Sequence, residues 1–104
     1  MELHVVLSEL KKSLSRLYGT RLVKIILFGS YAKGTSTEKS DIDILLVLEG
    51  EVIPCKELDA TIDIVYELNL RYGILISLLP VSENDYARKN SPLLMNVRKE
   101  GVPA

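Results

Sequence analysis

Very little in this 104-residue sequence suits a secreted, membrane-spanning or highly charged protein. Its one cysteine, Cys55, has no second thiol to pair with, so an internal disulfide is excluded, as is a cysteine-rich zinc site. Residues 73–81 are the longest apolar run, far short of the roughly 20 residues that cross a bilayer. The N-terminus, MELHVVLSELKKSL, interrupts its apolar pattern with charges, so no signal peptide is expected there. Neither sign of charge is in excess: 13 Lys and Arg face 14 Asp and Glu, a net charge of −1. No general field exists to grip a nucleic-acid backbone, and nucleic acid is not favoured as a partner. The lone histidine, His4, sits at a helix start and is given no role. Internal repeats and linker-like stretches are missing too, and the absences together point to a cytoplasmic protein without a membrane anchor.

What is present is an ordinary globular composition, 47% hydrophobic and 26% charged. The length suits one domain over 1–104, too short to add a separate substrate-recognition domain. Leu3, Val6, Leu7, Leu10, Leu14, Leu17 and Tyr18 recur at helical spacing, with Gly19 as the stop. Residues 22–28 form an apolar, β-branched strand, and 41–48 a second. Pro54 opens a helix that runs to Gly73, its inner face marked by Leu58, Ile62, Val65, Leu68 or Asn69, and Tyr72. Residues 74–79 make a third strand closed by Pro80, parallel to the second because a helix lies between them. Ser82 caps a short turn, and Ser91-Pro92 opens a last helix ending at Gly101. The expected fold class is α/β, a small mixed sheet flanked by helices.

Chemistry concentrates in residues 25–47. Side chains on a strand alternate faces, so Asp41 and Asp43 project together while Ile42 and Ile44 project the other way. Two parallel carboxylates suit a hard cation bridged to phosphates. Gly29 ends the first strand where the backbone must approach something closely, and Ser30 adds a hydroxyl at a short helical turn. Gly29 and Ser30 end one strand while Asp41 and Asp43 begin the next, so they meet only if the strands run antiparallel. Tyr31 and Ser40 shape the connecting loop.

The segment GSYAKGTSTEKSDIDILLV resembles the signature of the polymerase β-like nucleotidyltransferases, particularly the minimal type. Gly29, Ser30, Ala32, Lys33, Gly34, Ser40, Asp41 and Asp43 occupy matching positions, and the element order agrees over most of the chain. The resemblance implies transfer of a nucleoside monophosphate from an NTP to an acceptor, with pyrophosphate leaving. It also implies two Mg2+ ions, Asp41 and Asp43 as catalytic metal ligands, and Gly29, Ser30 and Lys33 as nucleotide-binding residues. The chain departs from the pattern in its third strand, where active relatives carry a further carboxylate. Here that strand holds Ser77 as its one polar side chain, so one of the two ions is expected to be weak. Asp59, Asp63, Glu83 and Asp85 are candidate substitutes, none of them on the strand.

The first functional reading is an adenylyltransferase resembling the MntA-type antitoxins of HEPN/MNT pairs, which transfer AMP from ATP onto a helical HEPN toxin. A bare catalytic domain needs its acceptor from another chain, so a helical partner or homo-oligomer is expected, docked through apolar surface on the N-terminal or C-terminal helices. The alternative is a catalytically weakened NTP-binding or partner-binding module that acts by complex formation. A stand-alone enzyme modifying a small molecule is disfavoured by length.

Overall fold

The computed structural model describes residues 2–37 and 40–104. Helix α1 (Leu3–Tyr18) leads through a 3-10 turn (Gly19–Arg21) into strand β1 (Leu22–Phe28), followed by the four-residue helix α2 (Ser30–Lys33) and strand β2 (Ile42–Leu48). Helix α3 (Pro54–Tyr72), strand β3 (Ile76–Ser82), helices α4 (Glu83–Arg88) and α5 (Pro92–Glu100), and strand β4 (Val102–Pro103) complete the chain. The sheet order is β3-β2-β1-β4. β1 and β2 run antiparallel, with Phe28 opposite Asp43, and β2 and β3 run parallel, with Asp43 beside Ser77. No helix among the described residues is long and apolar enough to cross a membrane.

β2 is central because it is apolar on both faces. Ile42, Ile44, Leu46 and Leu48 pack toward α1 and α3, together with Val6, Leu10, Leu14 and Leu68. Leu45 and Val47 pack on the other face with Ile26, Leu94 and Val97. Strand alternation therefore puts Asp43 on the second face, the one covered by α5.

Four details differ from the sequence expectations. β3 begins at Ile76 and passes through Pro80 to Ser82, where a stop at Pro80 is predicted. The Ile42 N–H donates to the Leu75 carbonyl, so by alternation the odd-numbered residues of β3 bond β2 and the nitrogen of Pro80 points to the free edge. A proline there removes no ladder bond. β4 is absent from the expectations; two residues are too short for any periodicity. It pairs antiparallel with β1, Val102 opposite Leu27, and Gly101 just before it leaves room that a Cβ would take, 2.6 Å from Ile26.

The third difference is the rotation of α3. It buries Glu57, Thr61 and Leu68, while Leu58 and Ile62 of the predicted inner face are exposed. Glu57 can be buried because Tyr18 Oη donates to one of its carboxylate oxygens at 3.0 Å and Arg21 to the other at 2.9 Å. Thr61 returns its hydroxyl to the Glu57 carbonyl at 2.9 Å. Hydrophobic periodicity cannot register a buried acid whose partners lie 36 and 39 residues away. The fourth difference follows: the main exposed apolar surface lies on α3 rather than on the terminal helices, which contribute Leu17, Leu93 and Met95.

Candidate functional site

β1 delivers Gly29 and Ser30 to the end of the sheet where β2 begins, so the antiparallel pairing brings the glycine turn against the aspartates. Gly29 has φ +75°, a conformation that disfavours any L side chain, and a Cβ built on it would stand 2.4 Å from Asp43 Oδ2. Both the turn and the close approach demand glycine. Ser30 opens α2, which Gly34 closes in the left-handed conformation. Ser40 shapes the returning loop: the Thr37 N–H donates to its hydroxyl at 2.8 Å, and its own N–H donates to the Thr37 carbonyl.

Asp43 is half-buried and Asp41 exposed. Burial first, and then the neighbouring Asp41 charge, raise the Asp43 carboxyl above its ordinary value. Two like charges held together beside a bare backbone turn are a net electrostatic cost that a bound cation would relieve. The donor set, two carboxylates with no sulfur or imidazole, has the hardness of a Mg2+ site that keeps waters or substrate oxygens in its other positions. The residues present fit that group.

The other positions are placed as follows. Lys33 is exposed and its Nζ lies 3.6 Å from Glu100 Oε2 at the end of α5, so it is engaged with a carboxylate rather than turned to the aspartates. Ser77 is the β3 neighbour of Asp43, exposed, and on the same face by alternation. Asp59 and Asp63 lie on the solvent side of α3, which packs on the opposite face of the sheet. Glu83 and Asp85 follow the far end of β3, a strand's length from Ser77. None of the four substitutes for the third acid, and no group of three His, Cys, Asp or Glu able to hold a metal exists among the described residues.

One polar cluster escaped the sequence reading. Tyr18, Arg21 and Glu57 meet beside a hollow of about 560 Å³, lined also by Leu17, Glu51, Ile53 and Lys56, at the end of the sheet away from Asp43. Arg21 further donates to the carbonyls of Glu49 and Glu51, at 3.0 and 2.6 Å. Burial, and then its hydrogen bond to Glu57, push the Tyr18 hydroxyl up to about 12. Every member is satisfied by another, so the cluster clamps α1, the β2–α3 turn and α3 together and stands apart from the aspartates.

With this geometry in hand, similarity to known proteins is informative. A family model described as "Nucleotidyltransferase domain" matches residues 7–100. "Putative protein adenylyltransferase MJ0604" of Methanocaldococcus jannaschii is 43% identical over 96 residues, covering 91% of this chain and 90% of its own. Among solved structures, a toxin–antitoxin with AMP-PNP superposes with TM-score 0.63 at 23% identity, over 90% of this chain and 68% of that one. A complex of tri-AMPylated Shewanella oneidensis HEPN toxin with MNT antitoxin superposes with TM-score 0.53 at 21% identity, over 94% and 70%. At these identities the solved structures establish the fold. The family model and the M. jannaschii relative establish more: this chain belongs to the nucleotidyltransferase family.

Proposed function

We propose that the protein is a Mg2+-dependent adenylyltransferase that moves AMP from ATP onto a hydroxyl of a partner protein, with a HEPN-type toxin as the expected acceptor. The observation that carries this reading is the seating of Asp43 against the bare Cα of Gly29, with Asp41 alongside. Support for the acceptor class comes from the M. jannaschii relative, named as a protein adenylyltransferase, and from the AMPylated HEPN toxin in a structure of like fold.

In this reading Asp41 and Asp43 hold the cation, which when bound would neutralise phosphate charge and polarise the α-phosphorus. Gly29 and Ser30 seat the triphosphate through the backbone N–H groups of the turn, while the space a Gly29 side chain would take is filled by the Asp43 carboxylate. Lys33 exchanges its Glu100 partner for a phosphate oxygen, a small cost because exposed ion pairs are worth about 0–1 kcal/mol. The acceptor oxygen bonds to the α-phosphorus as the bond to the bridging oxygen of the β-phosphate breaks, the hydroxyl proton passes to solvent water, and pyrophosphate departs. The half-buried site aligns these groups, and alignment is a large part of the rate. The proton of the acceptor hydroxyl has no third carboxylate to receive it on β3, which favours a second reading: a module that binds Mg-ATP and its partner and turns over slowly.

The experiment is incubation with α-labelled ATP, Mg2+ and a purified HEPN-type protein. Label on the acceptor that disappears in the Asp41→Asn/Asp43→Asn variant is expected. Binding of ATP without any covalent label would overturn transfer in favour of the second reading.

A further inference from the structure

The exposed side of α3 is not used by the site described above. Leu58, Ile62, Tyr66 and Leu70 recur at four-residue steps and are 43–68% exposed, so they form one apolar row along the helix. One residue further round runs an acidic row, Asp59, Asp63 and Glu67. Lys56 precedes this row and Arg71 follows it, the latter paired with both Glu67 and Glu9. Asp59 and Asp63 form the unneutralised centre, with no ion pair among the described residues. On its other side the apolar row meets the free edge of the sheet in a groove of about 320 Å³, walled by Leu58, Ile62 and Val65 of α3 and by Ile76, Ser77 and Leu78 of β3.

Charge and area decide what fits. Four side chains exposed to this extent present roughly 400 Å² of apolar surface, about half of the ~800 Å² each partner contributes to a standard interface. That is too little for a permanent dimer and suits a transient partner held partly by charge. A second copy packed antiparallel on α3 about a two-fold axis centred on the row would set Asp63 against Glu67 of that copy, like charge on like, while Asp59 would meet Arg71, so a self-pairing gains little from charge and leaves Asp63 uncompensated. A helix with its own apolar row flanked by Lys or Arg meets both rows favourably.

We propose that the outer face of α3 and the groove it shares with β3 form the docking surface for a basic, amphipathic helix of the protein that carries the acceptor hydroxyl. The proposal rests on the protein-acceptor reading for what the partner brings, and on the two rows for how it binds. The groove lies on the α3 side of the sheet and the aspartates on the other, but Ser77, the strand neighbour of Asp43, borders the groove at the free edge, so a helix lying there is one strand away from the candidate site. The acceptor hydroxyl then reaches the aspartates across the edge strand, at the side where the third carboxylate is missing.

The test uses two synthetic helical peptides with the same four-residue leucine row, flanked by lysines in one and by glutamates in the other. Fluorescence anisotropy without nucleotide should show the lysine peptide binding at least about tenfold tighter, a tenfold ratio being about 1.4 kcal/mol. Asp59→Lys/Asp63→Lys should reverse the preference, and Ile62→Gln should weaken both peptides, with circular dichroism confirming that each variant folds. Equal affinities in the wild type, or a preference untouched by the charge reversal, would overturn the proposal. So would a wild-type dimer in sedimentation that Ile62→Gln dissociates, because a second copy would then occupy the face. The measurement involves no ATP, so its failure leaves the adenylyl-transfer reading to the labelling experiment.

Discussion

At the scale of single residues, Asp43 gives up stability for its position. Its folded carboxyl binds a proton more tightly than the unfolded one, because burial and the Asp41 charge both oppose ionisation. The sign follows from linkage: between the ordinary value of 3.8 and the raised one, the folded state holds the extra proton, so stability falls as pH rises through that window. Asp43→Asn should therefore melt higher than the parent at pH 7 without Mg2+, with the difference shrinking toward pH 4. A lower melting temperature at pH 7 would contradict the like-charge account. Ser77 carries the second residue-scale prediction. Its register with Asp43 puts a new carboxylate beside the pair in Ser77→Asp, and general-base assistance is worth roughly 100- to 10,000-fold. Single-turnover transfer should rise by at least about tenfold with ATP affinity little changed, whereas an unchanged rate would show that the acceptor brings its own base.

At the scale of elements, the orientation of α3 depends on one buried acid. Glu57 draws Tyr18 and Arg21 onto the helix, and these contacts turn Leu58 and Ile62 outward to form the exposed row. Glu57→Ala leaves the Tyr18 hydroxyl without its acceptor and opens space under the helix, at a cost of roughly 1–3 kcal/mol. Chemical denaturation should show that loss, and the Tyr18 hydroxyl should titrate below about 12 once burial and the Glu57 hydrogen bond are weakened. The Asp41/Asp43 end of the sheet should keep its Mg-ATP affinity. Loss of that affinity would mean the two ends are coupled through the sheet.

At the scale of the whole molecule, the site is built from strand ends, so occupying it should stabilise the fold. A ligand at 100 times its Kd adds about 2.7 kcal/mol. For a domain of this size that corresponds to a shift of roughly 10–20 °C in melting temperature. Mg-ATP together should give a rise of this order, while ATP with EDTA, or Mg-ATP with Asp41→Asn/Asp43→Asn, should give little. An equal shift with and without Mg2+ would sink the metal assignment of the pair.

The sequence alone determined the central arrangement, because its determinants are local. The alternation of Asp41, Ile42, Asp43 and Ile44 sets which carboxylates share a face, and the glycine turn and helix caps need only neighbours a few residues away. Antiparallel pairing of β1 with β2 followed from requiring Gly29 to meet Asp43, and the parallel β3 from the handedness of a helical crossover. Tertiary structure decided what depends on distant partners. Glu57 is buried because of Tyr18 and Arg21, and Pro80 continues a strand because that strand lies at an edge. Val102 and Pro103 pair only because α5 returns the chain to β1. That Lys33 pairs with Glu100 was likewise not legible, since Glu100 lies 67 residues further along the chain. A periodic pattern records how each residue compares with its neighbours, and these choices were made between residues that only folding brings together.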